Sequence, residues 1–493
     1  MSDILDEIRA IVGPAAVRTD AATRAQFGAD QTENPPGEPD AVIAPSTREQ
    51  LVAVVQAAAR GRVPLVPRVA GTNLGGLAIP ARGGWVLDLT GMNRIVELNL
   101  DDMVAVLEPG VTFAQLRRAL DALTPRLTIG YPLSPPETSV IANCLLDGLG
   151  NLSLRHGPMA EWLAGVEAVR ADGTIVRTGA LALGVPVPFS RSPLPDLTGL
   201  FVSLQGSTGV VTRAAVQLWP APAVRERSFV LAYDRAATMR ALREAPRLDV
   251  LDDMGGLSWP TGKMLLGVPH PGPRDPAEPE FFIYLDVGAA TPALLAAKRR
   301  VLGDYFAGLR RAGLRLEEPI DVPTLVRLEP RLGKFADFPT RLDFLVDHPD
   351  GGLTWVGTYG PMSRFAKACE KGIAIVEKHG FPPTIVARPM KGGHFGVLRF
   401  IQIFRHDDPA DRARVAACNR ELCDALLEDG FIMYKTPGWA VERYRDRLDP
   451  GFSRLVGEVQ RVLDPDGIMN PGRWALGQPG LAFTSTAAGL PRP

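Results

Sequence analysis

The sequence predicts a two-domain α+β protein, and three observations carry that prediction. Over the first 220 residues short apolar, strand-like runs alternate with helices, and three stretches of small residues interrupt them. At Pro220-Ala221-Pro222 the chain turns proline-rich, and beyond it longer helices alternate with strands that lack glycine-rich loops. A final segment, 430–474, carries FIMYKTP and DPDGIMNPGRW. At 493 residues the chain exceeds one ordinary hydrophobic core.

Composition narrows the function classes. A hydrophobic fraction of 46% with 22% charged residues fits a globular protein, and a net charge of −1 argues against nucleic-acid or anionic-membrane binding. The start, Met-Ser-Asp-Ile-Leu, has no basic n-region or apolar h-region, and no apolar run is long enough to span a bilayer. Cys144, Cys369, Cys418 and Cys423 are too irregular for a disulfide framework and read as reduced thiols, so a cytoplasmic location is expected. No histidine pair has metal-ligand spacing, and no metal is expected.

In order, Ile4, Leu5, Ile8, Ile11 and Val12 mark an amphipathic helix stopped by Gly13. A strand at 41–44 precedes a helix that Ser46 and Glu49 are expected to cap, and a strand at 63–66 follows. Strands are expected at 85–89, 95–98 and 103–107, then a helix capped by Thr112 and Gln115. A hairpin folds 166–169 onto 174–177 about Asp172-Gly173. Beyond residue 223, helices are expected at 236–244, 292–309, 362–378 and 411–427, with strands at 281–287, 353–358 and 397–404. Strands with helices on one side describe a domain that covers something.

The three small-residue stretches carry the first chemical clue. Residues 67–76, PRVAGTNLGG, follow the strand at 63–66; bare backbone there lets several N–H groups converge on an anion, phosphate being the usual one. No helix-forming run follows, so neither GxGxxG nor GxxxxGK[ST] applies. Thr138 or Ser139 at a helix start would again present N–H groups. Gly206-Ser207-Thr208-Gly209 runs directly into a strand. Three such contacts along one chain suit a long anionic ligand in an extended pose.

These motifs together resemble the FAD-linked oxidase superfamily of vanillyl-alcohol oxidase and p-cresol methylhydroxylase (PCMH), over roughly residues 40–475. PRVAGTNLGG resembles its pyrophosphate loop, and residues 139–179, SVIANC to IVRTG, its second flavin segment and following hairpin. Residues 196–220 resemble the segment whose backbone receives the adenine side, and LDPDGIMNPGRW its terminal signature. The resemblance implies a PCMH-type FAD-binding domain over 1–222 and an α/β cap domain over 223–430. It further implies a segment returning to the flavin over 431–475 and a disordered tail over 476–493. FAD contacts are then expected from Arg68, Ala70, Gly71, Thr72, Asn73, Leu74, Gly75, Thr138, Ser139, Ala142, Asn143, Gly150, Gly209, Val210, Val211 and Arg473, with Trp474 closing the signature.

The substrate side departs from both known branches. Tyr434-Lys435 resembles the Tyr-Arg pair that holds a phenolate in the 4-alkylphenol branch, with lysine losing the planar fork. The loop tyrosine of that branch is absent; Gly75 and Gly76 stand around its place. The HxGDGNxH site of the D-2-hydroxy-acid branch is also absent, leaving His394 in Lys-Gly-Gly-His-Phe-Gly. No RSGGH-type histidine stands in the loop, so non-covalent FAD is expected, with Tyr359 the alternative attachment point. His394 is a candidate proton acceptor, Arg399 a cation inside an apolar strand that needs a partner, and His156 a flavin neighbour. The expected reaction is hydride abstraction from a small hydroxylated, aromatic substrate of 4-alkylphenol or benzylic-alcohol type. A D-2-hydroxy-acid dehydrogenase-like subunit and a non-catalytic FAD-binding protein remain alternatives. An electron-acceptor protein and a homo-oligomer are compatible with each.

Overall fold

The computed structural model describes residues 2–335 and 348–476; the expected tail, apart from Leu476, lies outside them. The chain opens with the helix Ser2–Val12, which lays Ile8 against the helix Arg48–Gly61. Strands β1 (Val17–Arg18), β2 (Ala41–Ile43), β3 (Leu65–Arg68) and β4 (Trp85–Asp88) form a sheet in the order β1-β2-β4-β3, parallel among its last three. The cap of Arg48–Gly61 is displaced by one residue from expectation. Thr47, not Ser46, accepts from the Gln50 N–H, while Gln50 reaches back to the Ser46 N–H at 2.9 Å. Thr112 does cap Phe113–Asp121, but the Gln115 side chain turns to the Asn93 carbonyl instead.

The chain then lays down β5 (Ile95–Asn99), β6 (Val104–Leu107), β7 (Leu127–Thr128), β8 (Leu163–Val169), β9 (Ile175–Arg177), β10 (Val210–Gln217) and β11 (Trp219–Pro220). An antiparallel sheet runs β5-β6-β10-β8-β9, and β7 pairs with β11. The β8–β9 hairpin turns at Asp172-Gly173 as expected.

Eight strands build the remaining sheet: β12 (Val224–Ala232), β13 (Asp253–Ser258), β14 (Phe281–Ala289), β15 (Ile320–Asp321), β16 (Gly351–Gly360), β17 (Thr384–Met390), β18 (Phe395–Arg405) and β19 (Ile432–Met433). Their order is β15-β12-β14-β13-β17-β18-β16-β19, antiparallel throughout. Side chains alternate across this sheet. Leu398, Phe400 and Phe404 of β18 join Met239, Phe306, Phe365 and Leu422 in one core, where helices Arg235–Glu244, Pro292–Arg311, Phe365–Lys378 and Pro409–Glu428 cover the sheet. Arg399 and Ile401, with Leu353, Trp355 and Tyr359 of β16, point to the uncovered face. The last described residues return to the first sheet, where Asn470 N–H donates to the Leu65 carbonyl at 2.7 Å. No helix of the described residues is long and apolar enough to cross a membrane.

Candidate functional site

A cleft of roughly 1150 Å³, counting its open mouth, runs between the four- and five-stranded sheets and the uncovered face of the large one. All three small-residue stretches line it. The first contributes Arg68, Ala70, Gly71, Thr72 and Asn73, the second Thr138, Ser139, Ala142 and Asn143, and the third Gly209, Val210 and Val211. Thr72 and Thr138 touch through their hydroxyls at 3.0 Å, which joins the first two stretches. Ser139 is the N-cap of the short helix Val140–Leu145 and accepts from the Ala142 N–H. Gly209 has φ +143°, and a Cβ there would meet the Val169 carbonyl oxygen at 2.8 Å, so only glycine fits the turn into β10.

Four expected cofactor residues lie outside the lining. Leu74 is buried among Leu257, Tyr284 and Leu353 of the large sheet. Gly75 packs against the Lys435 carbonyl, where an added Cβ would stand 3.1 Å away. The Gly150 carbonyl accepts from Arg388 at 2.9 Å. Arg473 is buried and donates to the carbonyls of Gly76 and Ile79, and burial lowers its guanidinium to about 10. It braces the first loop. Sequence reasoning missed Ser134, Phe201, Gln205 and Trp355, all in the lining. Each stood near a legible feature: Ser134 shortly before Thr138, Phe201 in the segment 196–220, Gln205 beside the third stretch and Trp355 in the expected strand 353–358.

Lys435 and Trp355 reach the cleft from its other side. Lys435 lies just beyond β19 rather than within a strand, with φ +51°. Gln205 holds the next residue, donating to the Thr436 carbonyl at 2.6 Å, while the Thr436 hydroxyl turns back to the Met433 carbonyl at 2.8 Å. That clasp aims the lysine at Asn143, whose Oδ1 is 3.4 Å from Nζ. Burial and the neighbouring Arg399 charge lower the Lys435 ammonium to about 8, against the opposing pull of Asp147. Burial raises the Asp147 carboxyl to about 6.

The sheet face beside Lys435 is aromatic. The Tyr434 ring lies over Gly357, where a Cβ would meet it at 2.8 Å, and stacks on Tyr359 at 4.7 Å between centroids. Arg399 donates to the Tyr434 hydroxyl and places its guanidinium 4.3 Å over Trp355. Tyr359 donates to the Asp147 carbonyl, and burial holds its phenol well above the usual range. Farther along the same face, Arg388 pairs with the buried Asp253 at 2.7 Å.

Tyr434, Lys435 and Arg399 therefore come together as one cluster, and His394 does not join it. His394 is exposed, at the end of a turn whose Lys391 pairs with Glu161 on the surface. Its expected role as proton acceptor is withdrawn, because the strand that carries Arg399 inward begins only after it. His156 stacks on Trp219 at 4.5 Å and is absent from the cleft lining. Among the described residues no group of three histidine, cysteine, aspartate or glutamate side chains could hold a metal.

Residues 39–179 match the family model described as an FAD binding domain. The chain carries an FAD-binding domain. It is 29% identical over 295 residues to the glycolate oxidase subunit GlcD of Bacillus subtilis, a match covering 56% of this chain and 61% of that relative. It is 24% identical over 481 residues to the flavoprotein subunit of 4-cresol dehydrogenase (hydroxylating) of Pseudomonas putida, covering 90% of this chain and 88% of that one. The crystal structure of p-cresol methylhydroxylase with substrate bound superposes with a TM-score of 0.82 over 96% of both chains, at 22% identity. The fold is therefore the PCMH fold, an FAD-binding domain joined to a second domain.

The cleft suits FAD on physical grounds. Ala70 and Gly71 leave the backbone bare, as an anion-binding loop requires. The Ser134 hydroxyl in the lining is buried without a hydrogen-bond partner, a group that a bound ligand would satisfy.

Proposed function

We propose that this chain is an FAD-dependent oxidoreductase that removes hydride from a small hydroxylated aromatic substrate of 4-alkylphenol or benzylic-alcohol type. FAD, when bound, supplies the hydride-accepting chemistry. Residues 70–73, Thr138, Ser139, Ala142, Asn143 and 209–211 would hold it along the cleft, non-covalently. The observation that carries the reading is the Tyr434–Lys435–Arg399 cluster, which meets the cleft where Lys435 and Trp355 line it. The Lys435 ammonium and the Tyr434 hydroxyl hold the oxygen end of the substrate and stabilise negative charge as it develops there. Trp355 and Tyr359 orient the ring, and Leu149, Met390 and Val397, packed against Tyr434, keep water out. The division of the chain at residues 222 and 430 belongs to this proposal. So does a cytoplasmic location, supported by four buried, unpaired thiols. Two relatives are named as subunits, which supports an electron-accepting partner chain.

A second reading is a D-2-hydroxy-acid dehydrogenase-like subunit, favoured by the glycolate oxidase relative. Anaerobic mixing of the purified holoprotein with phenols, benzylic alcohols and 2-hydroxy acids separates the two. Bleaching of the flavin band by a 4-alkylphenol or benzylic alcohol is expected. Bleaching by 2-hydroxy acids alone would replace the first reading with the second. No bleaching by any donor would leave an FAD-binding protein without turnover.

A further inference from the structure

Arg399 stands in the apolar run of β18 and faces the cleft side of the large sheet. Its guanidinium lies on the π face of Trp355 and donates to the hydroxyl of Tyr434; neither group cancels its charge. Among the described residues no carboxylate lies within ion-pair distance of Arg399 or Lys435. The Arg399 Nε–H is buried without an acceptor. Two cations side by side in a half-buried wall, one with an idle donor, are stable only if an anion joins them.

Lys435 lines the cleft with Asn143 and Thr138, and on the reading above its charge faces the oxygen end of the substrate. Arg399 is outside that lining, its guanidinium over the Trp355 ring on the cap sheet, and its counterpart must come with the substrate. A phenolate brings one oxygen. A carboxylate brings two in a plane, the geometry that a guanidinium fork matches. Around the fork the walls are rings and apolar side chains: Trp355, Tyr359, Tyr434 and Leu149. We infer that the site selects aromatic substrates that carry a carboxylate, with Arg399 as the carboxylate-binding residue. This inference rests on the hydride-transfer reading above.

The test compares two donors that differ only in the group para to the carbinol, 4-hydroxybenzyl alcohol and 4-(hydroxymethyl)benzoate, with D-lactate as a third arm, on the FAD-loaded full chain. The acid is expected to bleach the flavin with a kcat/KM roughly 10- to 100-fold above that of the phenol, mostly through KM. It is also expected to shift the flavin spectrum at correspondingly lower concentration when turnover is blocked. Arg399→Met should erase that preference, and Arg399→Lys, which keeps the charge without the fork, should restore part of it. Reduction by both aromatic donors with no advantage for the acid overturns the inference and leaves the function reading intact. An advantage that survives Arg399→Met overturns the assignment of Arg399. Reduction by D-lactate alone overturns the function reading itself, and this inference with it.

Discussion

The two walls of the cleft are made differently. The FAD-domain wall is backbone and small side chains, drawn from three stretches that each span a few residues. The cap wall is large side chains: Trp355 and Tyr359 from β16, Arg399 from β18, then Tyr434 and Lys435 just past β19. Contacts on the cap side join residues far apart in sequence, Arg399 with Tyr434 and Tyr359 with the distant Asp147. Cofactor recognition here is a property of local chain conformation. Substrate recognition is a property of tertiary assembly, and the two should fail separately.

Filling the backbone wall gives the largest expected effect. Ala142→Trp places an indole in the lining beside Ser139 and Asn143. FAD occupancy, read as flavin absorbance per chain after dialysis against excess FAD, is expected to fall roughly tenfold or more, since overpacked sites rarely yield. Far-UV circular dichroism should be unchanged, because the residue is only partly buried. Retention of full FAD would break the distinction between the walls.

That distinction also explains what was legible in the sequence. The loop at 67–76, the Ser139 cap and the 206–209 turn each declare themselves by small residues in a row, and each lines the cleft. Strands β12, β13 and β17 were not anticipated, for a shared reason. β12 carries Arg225 and Arg227, which turn inward to Asp286, so its charges mimic a solvent-facing pattern. β13 opens with Asp253 and holds two glycines; β17 contains Arg388 and Pro389, residues that ordinarily argue against a central strand. Buried ion pairs hide strands from any reading based on apolar alternation. His394 was raised by the opposite error: a histidine among glycines resembled a site, but nothing local shows that its turn faces outward. The pairing of Arg399 with Tyr434 required the β16–β18 register, with Arg399 opposite Gly357 under the Tyr434 ring.

The Arg388–Asp253 pair offers a second break, at the seam between the walls. Arg388 is 3% exposed and binds both Asp253 and the Gly150 carbonyl of the second small-residue stretch. Arg388→Met leaves a buried carboxylate unpartnered, expected to cost about 3–5 kcal/mol. Urea unfolding followed by tryptophan fluorescence should show it, with Arg388→Met/Asp253→Leu recovering part of the loss. Flavin release followed in the same titration locates the weakness: release at lower urea than in the wild type assigns the pair to both walls, and unchanged release confines it to the cap.

The smallest expected effect is the most discriminating, because it sets activity against stability at one residue. Burial and Arg399 lower the Lys435 ammonium from 10.5 to about 8, so the charge is present below that pH and lost above it. If Lys435 stabilises charge on the substrate, the rate of flavin reduction should fall by up to about tenfold per pH unit above 8. Lys435→Arg, charged throughout, should remove the fall. Stability runs the other way. A lowered folded-state value means that the folded chain holds this proton less well than the unfolded chain. The contribution of Lys435 to stability is therefore full above 10.5 and lost as pH drops through about 8. The difference in melting temperature between wild type and Lys435→Met should accordingly shift in favour of the wild type as pH rises across that window, while the wild-type rate declines. A rate and a stability that move together would place Lys435 outside the charge-stabilising role and return the substrate wall to Tyr434 and Arg399 alone.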